Sequence, residues 1–332
     1  MKKKIKIICT LGPSSFKKKE LHLLNSKKVD IFRINLSHTK IEGLEEKIKY
    51  LKINNIKNIC IDTEGAQIRT TKTKKKYFLK KNKYIDVYNA NKISNNKKIF
   101  LYPSFNIKSA KINSEINIGF NGLKLKIYKK KRNYLSCKVI NEGILDSNKG
   151  VHFSSAIKLA PLTEKDIEAL KISIKMKINI FAISFVNRKS DISKVKKIVG
   201  SKSKIISKIE TKNALKNLTE ISNDSNAILI DRGDLSRYIP IEKIPLAQEY
   251  ILKKSKNKIP VYVATNLLET MIKENEPTRA ESHDIFSTLK QGASGLVLAA
   301  ETAIGRNPSG TVNFLKKCIN TFSKYKSNKL KY

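Results

Sequence analysis

Apolar residues recur along this chain in short, nearly continuous runs, and most of these runs are followed by a stretch with helical spacing. Eight runs are strand-like: Ile5–Thr10, Ile31–Leu36, Asn58–Asp62, Asn179–Phe185, Lys204–Glu210, Ala227–Asp231, Pro260–Thr265 and Ser294–Ala299. Helical patterns follow at Lys40–Asn54, Thr163–Met176, Asp191–Val199, Leu246–Ser255 and Arg279–Lys290, with a last helix near Ser309–Tyr325. Runs this apolar belong to strands buried on both faces, as in parallel sheets. Strand and helix alternating over this length predict an α/β protein, a (β/α)8 TIM barrel.

One segment breaks the rhythm. Between Thr70 and Phe153 helical periodicity fades, and the runs KKYFLKKN, YIDVYN, KIFLYP, INIGF, LKLKIYKK and YLSCKVI alternate apolar with polar between Asn, Gly and Lys turns. Alternation of period two marks strands with one buried face. The expected organisation is a barrel formed by residues 1–69 and 154–325, a small β-barrel domain inserted at 70–153, and a frayed tail at 326–332. An insertion in a βα loop of a barrel is placed to act as a lid, because those loops surround the site.

The polar residues that end the apolar runs carry the candidate chemistry. In IISKIE, Lys208 and Glu210 stand two apart, so they share a face and offer a cation beside a carboxylate. Glu210 and Asp234 are read as the ends of consecutive strands that share one divalent cation, and Mg2+ keeps several waters beside such ligands. Gly233 and Asp234 are read as opening a short helix, with N–H groups for an anionic carboxylate. Thr265 ends the seventh run, its hydroxyl placed to bind a carboxylate or to relay a proton. Asn35, Ser37, Asp62 and Thr63 supply hard oxygen ligands for a monovalent cation, and the same residue types also cap strands and turns. Arg33 and Arg69 stand out in a chain poor in arginine, and the guanidinium fork suits phosphate.

Composition narrows the function classes. The chain has 332 residues, 40% hydrophobic, which is enough for one large barrel with an insertion. No apolar run approaches the roughly 20 residues of a membrane span, and MKKKIKIICTLG reads as a first strand rather than a leader. Cys9, Cys60, Cys137 and Cys318 lie far apart without metal-ligand spacing, which fits structural thiols in a reducing, cytoplasmic compartment. The net charge of +40 comes from lysine spread over the whole length, with Asn and Ile abundant beside it. It accompanies no nucleic-acid-binding motif, so solvated surface is expected rather than specific nucleic-acid recognition. The histidines form no cluster; His22 and His283 read as surface, and His38 as a residue that orients the loop after Ser37.

ICTLGPSS, FRINLSH, DTEGAQIRT, LTEKD, SKIE, RGDL, ATNLLETMI, PTRAE and ETAIGRNP occur in that order. In these motifs the chain resembles the pyruvate kinase family from about Lys6 to Ala303. The resemblance implies a barrel with an inserted β-domain and phosphoryl transfer from phosphoenolpyruvate to ADP, giving pyruvate and ATP. It implies Mg2+ at Glu210 and Asp234, and K+ at Asn35, Ser37, Asp62 and Thr63. Lys208, Thr265 and Arg33 take catalytic roles by that resemblance. Arg33, Arg69, Ser184, Lys208, Gly233, Asp234 and Thr265 bind substrate, and Asn35, His38, Arg69 and Lys149 meet the nucleotide. In such an enzyme Lys208→Met abolishes pyruvate formation with little loss of folding.

The sequence departs from the family pattern at several places. The family's third, C-terminal domain, which usually holds an effector site and part of the subunit contact, has no counterpart here. The expectation is an enzyme without that control, with homo-oligomer formation left open. A glutamate of the family is Gln67 here, which leaves K+ dependence open. GDLG becomes GDLS at Ser236, followed by Arg237 and Tyr238, and ATQ ends in Asn266. The lid turn reads Phe120-Asn121-Gly122, and the return from the lid runs from Lys149 to Ser155 without the usual proline and glycine. Two other classes remain: a catalytically degenerate relative that binds a phosphometabolite or RNA, and a different phosphoenolpyruvate or oxo-acid enzyme.

Overall fold

All eight expected strands form in the computed structural model, which describes residues 4–119, 122–155, 157 and 159–327. They are β1 (Lys6–Leu11), β2 (Ile31–Asn35), β3 (Ile59–Asp62), β4 (Ile180–Ile183), β5 (Lys204–Ile209), β6 (Ala227–Asp231), β7 (Val261–Ala264) and β8 (Gly295–Leu298). Each pairs in parallel with the next, and β8 pairs with β1 from Lys6↔Gly295 to Cys9↔Leu298, so the sheet closes into a barrel. The chain packs as two compact units, Met1–Gly65 with Glu164–Tyr332, and Ala66–Thr163.

Strand alternation fills the barrel and also builds its mouth. Ile8, Ile31, Cys60, Ile180, Ile206, Ala227, Tyr262 and Val297 belong to one buried cluster inside the strands. Two residues further along, the same face presents Thr10, Arg33, Asp62, Lys208 and Leu229. The lower layers are therefore apolar and the layer at the carboxyl ends is charged, as the barrel geometry requires. Gly295 is needed for this filling, because a Cβ there would lie 2.8 Å from the Tyr262 ring.

Helices at Leu44–Ile53, Glu164–Lys175, Lys189–Val199, Ile244–Ser255, Arg279–Lys290 and Pro308–Tyr325 follow the expected pattern. The PTRAE motif is a capping box: Thr278 accepts from the Glu281 amide, and Glu281 accepts from the Thr278 amide. The helix Lys18–Ser26 was not expected; it buries only Leu21 and Leu24 in a lysine-rich stretch. Short helices at Lys212–Lys216 and Leu218–Asp224 were likewise unexpected.

Asp166, at the start of the helix Glu164–Lys175, is fully buried and accepts from the Glu64 and Gly65 amides at 2.7 and 3.0 Å. Asp166→Ala would leave both N–H groups unpaired, and we expect it to destabilise the protein by about 2–4 kcal/mol in chemical denaturation. A loss under about 0.5 kcal/mol would show that solvent replaces the carboxylate.

The second unit is built from a seven-stranded sheet and a two-stranded ribbon. The six alternating runs all form strands, with Leu123, Leu125 and Ile127 turned inward and Lys124, Lys126 and Tyr128 outward. The strands Arg69–Thr70 and Val151–Phe153 stand at opposite ends of the sheet order. They are joined by Val151 N–H to Ile68 O at 2.7 Å and Thr70 N–H to Lys149 O at 2.8 Å, which leaves neither edge open. Arg69–Thr70 and Gly143–Leu145 were not expected, being too short to show alternation, whereas Val151–Phe153 lies on the expected return strand from the lid, just after Lys149. Phe120 and Asn121 of the lid turn, and residues 328–332 of the expected tail, lie outside the described residues.

Candidate active site

Lys208 is the centre of the charged layer. It projects inward from β5 with 5% exposure, and its ammonium lies 2.9 Å from Glu210 Oε1, 3.4 Å from Asp62 Oδ1 and 3.4 Å from Asp231 Oδ2. It also donates to Ser184 Oγ at 3.0 Å. Burial works against its charge, but the three carboxylates outweigh it and hold the ammonium well above its ordinary range. Ser184 in turn donates to Thr63 O at 2.7 Å, and its amide donates to Thr63 Oγ1 at 2.9 Å.

Arg33 sits on β2, buried, with Nε on Thr10 Oγ1 and Nη1 on Asp62 Oδ2, both at 2.8 Å. Of the four expected monovalent-cation ligands, Asn35 pairs in register with Asp62 across β2 and β3, and Thr63 follows directly. Asn35 Oδ1 accepts from the Ser37 amide at 2.9 Å and so caps the single turn Leu36–His38. Arg69 and Lys149 belong to the second unit. There Arg69 Nη1 donates to Asn148 O at 3.4 Å, and Lys149 lies 3.7 Å from Asp146.

The acidic cluster differs from the expected pair. Asp231, not Asp234, ends β6; Asp234 lies in the four-residue helix Arg232–Leu235 that follows. Glu210, Asp231 and Asp234 each offer a carboxylate oxygen, and the three lie within 4.8 Å of one another. Glu210 is completely buried, and its Oε2 accepts from the Phe185 amide at 2.6 Å. Burial pushes its carboxyl up to about 8; Lys208 opposes this, while Asp234 and Asp231 add to it. A crowded set of hard oxygens sharing one ammonium fits a divalent cation. The departures fall beside this cluster. Arg237 Nε is 3.3 Å from Asp234 Oδ1, and burial, then Glu210 and Asp234, push the Tyr238 phenol up to about 12.

Thr265 stands just past β7 with φ of 79°, and Asn266 follows at 58°. A β-branched residue in the left-handed region is strained and persists only where its surroundings hold it. Its hydroxyl donates to Asp231 Oδ1 at 2.8 Å, and its carbonyl accepts from Arg232 Nε and Nη2 at 3.0 and 2.6 Å. Asp284 braces Arg232 at 2.8 Å. Sequence reasoning missed Asp231 and Arg232. The available signal was register: Ala227, Leu229 and Asp231 alternate on one face of β6, which places Asp231 at the mouth.

Fold and site together define a (β/α)8-barrel protein with its charged constellation at the carboxyl ends of the strands, where barrel enzymes carry their chemistry. A family profile described as pyruvate kinase, barrel domain, matches residues 2–312. The chain belongs to the pyruvate kinase family. It is 34% identical to a pyruvate kinase of Thermotoga maritima over 94% of its own length and 69% of that protein. It is 32% identical to one of Dictyostelium discoideum, covering 94% of this chain and 65% of that protein. A third, from Staphylococcus epidermidis, is 30% identical, with 95% of this chain and 56% of that protein covered. Among the described residues no helix is long and apolar enough to cross a membrane.

Proposed function

We propose that the chain transfers a phosphoryl group from phosphoenolpyruvate to ADP, with Mg2+, to give pyruvate and ATP. The observation that carries this reading is the buried, charged Lys208 set between Glu210, Asp62 and Ser184. Glu210 and Asp234 would hold the Mg2+, which supplies charge for the transferring phosphoryl group and the enolate oxygen. Lys208 is fixed in place before the reaction, so it stabilises negative charge as it develops without reorganising. Arg33 is held by Thr10 and Asp62, which aims its planar fork at an anion in the mouth. Thr265 faces the substrate from the end of β7, and Gly233 keeps that approach open, since a Cβ there would lie 2.9 Å from Thr265 Cγ2.

By family resemblance, Ser184 contacts the phosphoryl group, and Asn35, His38, Arg69 and Lys149 meet the nucleotide. The same resemblance supports K+ at Asn35, Ser37, Asp62 and Thr63, all oxygen donors. The inserted β-domain is assigned the role of a lid that excludes water during transfer.

A coupled assay tests the reading directly. Pyruvate is expected only when phosphoenolpyruvate, ADP and Mg2+ are all present, and repeating the assay without K+ shows what Gln67 does. A folded protein that binds Mg2+ and forms no pyruvate would favour a degenerate or repurposed relative.

A further inference from the structure

The turn after β6 is built around the residue just past β7. Three consecutive residues, Asp231, Arg232 and Gly233, each engage Thr265. Asp231 takes its hydroxyl at 2.8 Å, Arg232 takes its carbonyl at 2.6 and 3.0 Å, and Gly233 leaves room for its methyl. Arg232 and Gly233 fix the backbone. Among the described residues Asp231 alone takes the Thr265 hydroxyl, selecting one χ1 rotamer and fixing the O–H, which otherwise rotates about its C–O bond.

Asp231 also lies in the acidic cluster, which raises the question of whether it is a metal ligand. Its oxygens are already committed within the protein. Oδ1 accepts from Thr265 and, at 3.4 Å, from the Asp234 amide, while Oδ2 faces the Lys208 ammonium at 3.4 Å. We propose that Asp231 is a positioning residue that acts through Thr265, holding its hydroxyl toward the reacting enol, rather than a third ligand to the cation.

This role rests on the phosphoenolpyruvate reading above, and the test separates the two. Steady-state kinetics, deuterium uptake at the pyruvate methyl group and Mn2+ binding by electron paramagnetic resonance would be measured for wild type, Asp231→Ala, Asp231→Asn, Thr265→Val and the Asp231→Ala/Thr265→Val double variant. Misplacing a reacting group by about 1 Å costs up to about 100-fold. Asp231→Ala is therefore expected to lower kcat and methyl exchange about 30- to 100-fold, with KM for phosphoenolpyruvate changed by less than about threefold. Asp231→Asn keeps an oxygen acceptor for Thr265 and is expected to recover most of the loss. In the Thr265→Val background, Asp231→Ala is expected to add nothing. Mn2+ affinity of Asp231→Asn is expected to stay within about threefold of wild type, whereas loss of a true ligand exceeds the roughly 10- to 100-fold cost of an outer-shell partner.

Additive losses in the double variant, or a collapse of Mn2+ affinity in Asp231→Asn, would overturn the inference while leaving the enzyme assignment intact. A wild-type protein that binds Mn2+ but neither forms pyruvate nor exchanges its methyl hydrogens would overturn the functional reading, and this role with it.

Discussion

Lys208→Met is expected to lower pyruvate formation by at least about 1,000-fold, the upper end of the loss seen when one preorganised donor is removed from an anion site. The sequence alone suggested that this change would spare the fold. The surroundings of Lys208 say otherwise, since Glu210, Asp62 and Asp231 all share its ammonium. Methionine fills the volume but leaves three carboxylates with, among the described residues, Arg33 as the one cation still ion-paired to them, on Asp62. Removing one partner of a buried ion pair costs about 3–5 kcal/mol, so the metal-free variant should melt well below wild type. Mg2+ can replace the lost positive charge, and it should narrow that gap. The melts, taken with and without Mg2+, separate loss of chemistry from loss of structure. A variant turning over within about tenfold of wild type would remove Lys208 from the mechanism.

Glu210 is the site of the second large effect, and its sign depends on the metal. Its carboxyl is raised from an ordinary 4.5 to about 8, first by burial and then, against the pull of Lys208, by Asp234 and Asp231. A raised folded value means that the folded, metal-free protein holds this proton more tightly than the unfolded chain. The stability it contributes is full below about 4.5 and is lost as pH rises through about 8. Glu210→Gln mimics the protonated form. Without metal it should therefore match wild type below about 4.5 and become increasingly the more stable protein as pH rises from there to about 8. With metal the order reverses. Wild type should bind Mg2+ more tightly as pH rises toward 8, releasing a proton on binding, and Glu210→Gln should lose at least about 100-fold in affinity. Melting curves across pH, together with calorimetric Mg2+ titrations in two buffers of different ionisation enthalpy, measure both halves. Metal affinity that does not vary with pH would mean Glu210 is ionised throughout.

The barrel strands were legible because each is a buried run of Ile, Val, Leu and Ala that ends abruptly in a polar group. The inserted strands were legible because LKLKIYKK and its neighbours alternate cleanly. Lys18–Ser26 escaped notice because a helix that buries two leucines carries little periodic signal. Lys208, Glu210 and Arg33 were found because spacing of two places alternate residues on one face, Asp62 because it ends the third apolar run, and the structure brings these four together. Asp234 was read both as a strand end and, with Gly233, as opening a short helix, and it lies in the helix Arg232–Leu235 that follows β6. Asp231 was passed over as the last letter of an apolar run. Its partner Thr265 is 34 residues away, and that contact exists only once β6 and β7 lie side by side.

The seam between β1 and β8 bears on how the chain matures as it leaves the ribosome. β1 is made first, yet one of its two neighbours, β8, lies almost 290 positions downstream, with Thr10 Oγ1 donating to Leu298 O and Thr302 Oγ1 to Thr10 O. Throughout most of synthesis β1 is an open, apolar edge, a template for unwanted pairing. The unit Ala66–Thr163 has every strand partner within its own span, and it can complete its sheet while the first three barrel strands still wait for the other five. Nascent chains should therefore depend most on chaperone protection between the emergence of β3 and that of β8.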